Sequence, residues 1–281
     1  MPAPSAAPSE AQVREYLKTL SNWGRWGAED ELGTINLITA AKRQAAARLV
    51  THGQSVTCAR PITTDITADI TADTTVQPMR FMVDSGEGRD YNGRSCNAVT
   101  SREGATVNSV EVLRDGVVSR GVLLDVARTK GVRWLEAGVG VMPADLEAAE
   151  RAAGVRVESG DVLLVRTGYY GRRVAEGAVN PLQAGNPALH VACCPWLRER
   201  GVAMIGTDTH NDVTPLPYPT MGNSFHVVCL VAMGLWLIDN TNLEELAQTA
   251  ARLGRWEFLL TVAPLRLKNV TGSPVNPIAV F

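Results

Sequence analysis

Short apolar, β-branched runs recur at Gly121–Val126, Val162–Arg166, Ala203–Gly206 and Phe258–Val262, separated by stretches of helical spacing at Pro143–Ala153, Asn186–Arg200 and Asn242–Leu253. This alternation constrains the fold more than any other feature. The runs are continuous rather than alternating in polarity, as in strands covered on both faces, and strands interleaved with helices specify an α/β architecture. Ahead of them, Ser9 is placed to cap a helix in which Val13, Tyr16, Leu17 and Leu20 share one face. Thr39 can cap a second helix over Ala40–Val50, closed by His52-Gly53. No Pro/Gly/Ser-rich linker divides the pattern, so the expectation is a lead-in and helix over residues 1–20 followed by one domain over 21–281.

Composition removes several functional classes. Lys and Arg total 27 against 29 Asp and Glu, a net charge of -2, so no basic field exists to hold nucleic acid or an anionic membrane surface. Hydrophobic residues make up 45% of the 281, yet no apolar run approaches the ~18 to 20 residues of a membrane span. The opening MPAPSAAPSEAQ lacks the basic and apolar regions of a secretory signal. Cys58, Cys96, Cys193, Cys194 and Cys229 are odd in number and have no CxxC spacing, which fits reduced thiols in a cytoplasm better than a disulfide framework or a zinc ribbon. The expected partner is a small molecule, not nucleic acid and not a membrane.

Histidine is scarce, with four in the chain, so each can be weighed. His52 follows a helix end, where an imidazole meets the last carbonyls and serves structure. His190 precedes Cys193-Cys194-Pro195-Trp196, and the sequence favours neither a buried nor a pocket-facing role for it. Ile205–Val213 places Asp208, His210 and Asp212 at alternate positions directly after an apolar strand. Strand C-terminal ends are where α/β folds put reactive groups, and alternation sends the three side chains the same way if the extended path continues. The competing reading is a polar loop with turn hydrogen bonds. His226 and Asp239 then bracket the apolar segment Val227–Ile238 and, taken with Asp208 and His210, make half of a metal or acid/base site. The near-repeat Thr63–Asp73 spaces Asp65, Asp69 and Asp73 four apart, but Thr and Ile are poor helix formers and Pro61 lies just upstream, so it reads as a solvated loop or strand edge.

Six segments, taken in order, carry a resemblance: Trp26–Asn36 (WGAEDELGTIN), Tyr91–Arg94 (YNGR), Gly121–Asp125 (GVLLD), Val165–Gly168 (VRTG), Gly206–Asp212 (GTDTHND) and Gly272–Pro277 (GSPVNP). Together they resemble the cyclase family, which includes kynurenine formamidase-like and isatin hydrolase-like amidohydrolases. The resemblance implies a swivelling β/β/α fold, a homo-oligomer, and a divalent ion, zinc or manganese, that activates water against an amide, lactam or lactone carbonyl. It also implies an HxGTHxD-type ligand motif ahead of Tyr91. This chain has no His between His52 and His190, and Phe81–Gly88 runs directly into Arg89-Asp90-Tyr91, so that segment of the family pattern is missing.

His226 and Asp239 remain as residual metal ligands, where a zinc centre keeps about three protein ligands. The resemblance therefore implies no metal or a weakly bound one, and weakened or metal-free chemistry on a small carbonyl compound. His226, His210 and Asp208 are its expected catalytic residues, and Tyr91, Arg94 and His190 its expected substrate-binding residues. The alternative is a catalytically silent member kept as a binding or structural subunit.

Overall fold

Seven strands form one mixed sheet: β1 (Ser55–Thr57), β2 (Val117–Asp125), β3 (Val162–Arg166), β4 (Met204–Thr207), β5 (Trp236–Ile238), β6 (Glu257–Val262) and β7 (Ile278–Val280), in the order β1-β7-β6-β2-β3-β4-β5. The computed structural model describes residues 7–60, 88–100, 102–177, 179–218 and 220–281; the acidic near-repeat at Thr63–Asp73 lies outside the described residues. Strands β2 to β5 run parallel, and one register row crosses them through Leu123, Leu164, Gly206 and Ile238. The remaining neighbours pair antiparallel. The apolar runs at Gly121–Val126, Val162–Arg166 and Ala203–Gly206 thus become three adjacent parallel strands.

Why these runs are continuous follows from what covers them. Val122, Leu124, Leu163, Val165 and Ile205 point to one face, against the Pro143–Ala153 and Cys194–Arg200 helices. Leu123, Val162, Leu164 and Met204 point to the other, against the Glu244–Leu253 helix and Phe258, Leu260 and Phe281. Both faces are dry, so every residue of β3 up to Val165 is buried. Each full burial of a Val or Leu side chain contributes roughly 1.5–3 kcal/mol. The result is a mixed α/β domain with one sheet between two layers.

The N-terminal helix spans Glu10–Thr19; Ser9 and Gln12 form its capping box and Val13 is buried. Thr39 caps a helix that ends at Ala47. Two segments differ from expectation. Asn186–Arg200 is not one helix: Ala188–Leu189 pairs as a short strand with Gly140–Val141, a turn follows at Val191–Cys193, and the helix proper is Cys194–Arg200. Pro195 sits in its first turn, where a missing N–H costs nothing, and could not have continued a longer helix. Val227–Ile238 is likewise divided, into a π-helical stretch Val227–Met233 and strand β5, by Gly234 in the left-handed region at φ 59°. That reversal brings the two ends of the segment together.

Candidate functional site

The site forms where β4 and β5 end side by side. Beyond Thr207 the chain turns, with Thr207 Oγ1 donating to the Thr209 carbonyl at 2.9 Å. Asn211 then reaches across to Asp239, its backbone N–H and Nδ2 both donating to Asp239 Oδ1 at 2.9 and 2.7 Å. His226, at the head of the helical segment between the two strands, lies between carboxylates: Nδ1 bonds Asp212 Oδ2, and Nε2 is 3.3 Å from Asp239 Oδ2. Asp212 is held in turn by the N–H groups of Phe225 and His226, at 2.7 and 3.3 Å.

Electrostatics push the two nearby imidazoles apart. Burial alone would favour a neutral His226, but its hydrogen bonds to Asp212 and Asp239 outweigh that and raise its pKa to about 9. Burial likewise acts to raise Asp239, but the hydrogen bond to His226, its charge and the bonds from Asn211 together outweigh it, leaving that carboxyl below the usual range. His210 feels the charges of Asp239, Asp212 and His226, yet burial dominates and holds its pKa below the ordinary histidine value.

His226 and Asp239 line a cavity of about 660 Å³ whose walls include Leu113, Leu230, Trp236 and Val262. That size and apolar lining suit a small organic molecule. Arg60 also lines it, its Nη2 donating to the Asp208 carbonyl at 2.6 Å and its guanidinium lying 4.9 Å from the Tyr170 ring centre. Tyr91 contributes its ring, with the hydroxyl donating to Asp30 Oδ2 at 3.0 Å; burial and that carboxylate both raise the phenol's pKa. Cys58 faces the same cavity, and burial pushes its thiol up to about 12, so it is no thiolate nucleophile at neutral pH.

Of the residues singled out in the sequence, His226, Asp239 and Tyr91 line this cavity; His210 is close enough to feel the charges of Asp239, Asp212 and His226 but is not among the lining residues. Asp208 is fully buried, its carboxylate accepting from Thr167 N–H and Oγ1, each at 2.8 Å, and from Gly168 N–H at 2.7 Å. The extended path ends at Thr207, so Asp208 and Asp212 turn to different partners. Asp208 braces the end of β3, and burial raises its pKa. Arg94 lies beside Glu29 and Glu31, at 3.4 and 3.6 Å, and His190 accepts from Ala192 N–H at 3.1 Å with its ring edge-on to Tyr218; neither is among the cavity's lining residues. Nothing local in the sequence marks Arg60. Asp212 is visible there only as the third member of the alternating trio.

The described residues do not suit a catalytic divalent ion. His226 Nδ1 is committed to Asp212 and Asp239 Oδ1 to Asn211, leaving Nε2 and Oδ2 as two donors where about three are required. Among the described residues no three His, Cys, Asp or Glu side chains are placed to hold a metal.

The profile of the family described as "Putative cyclase" matches residues 64–211, over half of the 281. A crystal structure described as that of a novel cyclase superposes with a TM-score of 0.79 at 28% identity, covering 94% of this chain and 99% of its own. An isatin hydrolase bound to the product analogue thioisatinate aligns at a TM-score of 0.44 and 17% identity, over 59% of this chain and 60% of that one. A potential metal-dependent hydrolase with cyclase activity aligns at 0.40 and 14%, over 58% and 65%. No curated protein matches the chain.

Proposed function

The chain belongs to the cyclase family, and from that premise we propose that it is an enzyme moving protons on a small carbonyl compound, with His226 as acid and His210 as base. The observation that carries this reading is His226 held between Asp212 and Asp239 at the wall of the 660 Å³ cavity. Two titratable groups in one site whose environments drive their proton affinities in opposite directions make a natural acid and base. His226 is an imidazolium at neutral pH and His210 a neutral ring.

Each group then has a task set by its geometry. Asp212 holds Nδ1 and thereby the ring's orientation, leaving the Nε2 proton to face Asp239 and the cavity. A substrate carbonyl oxygen entering there takes a hydrogen bond from Nε2, while His210 accepts a proton from the neighbouring carbon or hydroxyl. The Arg60 guanidinium, braced on Asp208 and Tyr170, offsets the negative charge that develops on the oxygen.

General acid–base help is worth roughly 10²- to 10⁴-fold, too little for fast attack of water on an unstrained amide. The reading therefore favours ring closure or lyase-type proton transfer over amide hydrolysis. Chelator-treated protein is offered small lactones, lactams and ring-closing carbonyl acids, together with isatin and N-formylkynurenine. Ring closure or opening in chelator, with only weak hydrolysis of the last two, is expected. Efficient hydrolysis that appears solely when manganese is added would overturn it.

A further inference from the structure

We infer that Asn22, Trp23 and Thr34 are positioning residues for His226: they clamp the far end of the helical segment that His226 opens, and so keep its ring in register with Asp239. A helix end leaves its last carbonyls without intrahelical partners, and π-helical stretches are rare, occurring mostly as single turns, often at functional sites. Here four successive carbonyls find partners in one N-terminal loop. Trp23 Nε1 donates to Val231 at 2.6 Å, Asn22 N–H to Ala232 at 2.9 Å, Asn22 Nδ2 to Met233 at 2.8 Å, and Thr34 N–H to Gly234 at 3.0 Å, while the Thr34 hydroxyl lies 3.1 Å from the Gly234 oxygen and closer, at 2.7 Å, to the Ala203 carbonyl.

The clamp sits at the pivot of the site. Gly234 lies between the stretch that starts at His226 and the strand that ends beside Asp239. A turn of the chain there would change the 3.3 Å separation of Nε2 and Asp239 Oδ2 directly. Asn22 is 1% exposed and uses both ends of its amide, the oxygen accepting from Arg25 at 3.1 Å. At Gly33 a Cβ would stand 2.1 Å from the Gly234 oxygen, so the loop and the pivot meet backbone to backbone. Asp30 secures the other side of the loop, accepting from Gly33 N–H at 3.0 Å, Asn36 Nδ2 at 2.7 Å and the Tyr91 hydroxyl at 3.0 Å. The WGAEDELGTIN stretch thus contacts the cavity wall through Tyr91 and the catalytic histidine's helix through Thr34.

The inference rests on His226 being the acid only for its consequence, and the test reads the ring itself without substrate. In the ring ¹H–¹⁵N spectrum of the full chain, four histidines are few enough to assign, and His226→Gln identifies the low-field proton shared with Asp212. Asn22→Ala and Trp23→Phe should each move the His226 ring signals and weaken or remove that proton while circular dichroism stays native. Ser119→Ala, which deletes a buried hydrogen bond to the Gly160 carbonyl at 2.6 Å, is the control and should leave the His226 signals in place. If Asn22→Ala does not fold, Trp23→Phe decides alone. Native His226 signals in the folded clamp variants, or an equal shift in Ser119→Ala, would overturn the inference, and turnover assays would stand or fall separately.

Discussion

At His226 two effects oppose each other: burial favours the neutral ring, and the carboxylates of Asp212 and Asp239 favour the imidazolium and prevail. The sign of the pH dependence follows. A group whose folded pKa, about 9, exceeds its ordinary 6.5 contributes stability that is complete below pH 6.5 and is lost as pH rises through 9. With 1.36 kcal/mol per unit as the conversion, the ceiling is ~3 kcal/mol, reduced by the ring's partial exposure. Asp239, shifted down, acts oppositely, its contribution lost as pH falls through its folded pKa. Urea denaturation between pH 6.5 and 9.5 should therefore show stability declining, and His226→Gln should flatten that decline; equal slopes in both proteins would count against the ion pairs. At this scale the sequence is half legible. His226 and Asp239 show themselves as polar residues closing an apolar run, whereas Asp208 and Asp212 look alike in the alternating trio and only the turn after Thr207 separates a brace from a partner of His226.

The elements are where local pattern and tertiary context part company. The apolar spacing over Asn186–Arg200 suggests one helix because Leu189, Val191 and Leu197 are all core residues, yet the first part is buried as a strand and turn. Pro195 was the available signal. The Val227–Ile238 run hides its reversal because a π-helical stretch, a left-handed glycine and a strand can all be uniformly apolar. That reversal gives a test. Gly33→Ala places a methyl 2.1 Å from the Gly234 oxygen at φ +57°, whereas Gly53→Ala at φ +69° meets nothing within 4 Å. Both incur the ~1–3 kcal/mol of a non-glycine residue in the left-handed region. Only Gly33→Ala adds the backbone overlap, so its loss of stability in urea should be clearly larger; similar losses would mean that the loop and the pivot are not in contact.

For the whole molecule, the sheet is legible in advance because strands dry on both faces must be apolar throughout, but its strand directions are not: the equally apolar Phe258–Val262 run pairs antiparallel and is buried on alternate residues. The site is less so, because it arises from the ends of two neighbouring strands that are distant in sequence and from Arg60, an arginine with no local signature in the sequence. With two donors among the described residues where about three are needed, purified protein is expected to hold well under one equivalent of zinc or manganese by elemental analysis. Stoichiometric metal that survives dialysis and is lost in His226→Ala would refute that. The central claim, that His226 and its carboxylates move protons at a carbonyl, is tested most directly by deuterium exchange. Small cyclic and open-chain carbonyl compounds are incubated in D₂O with chelator-treated protein, and label at the carbon beside the carbonyl is followed by NMR. The account predicts enzyme-dependent exchange that survives chelator and falls roughly 10²- to 10⁴-fold in His226→Gln and in Asp212→Asn. Exchange that requires added manganese, or that is unchanged in both variants, would contradict it.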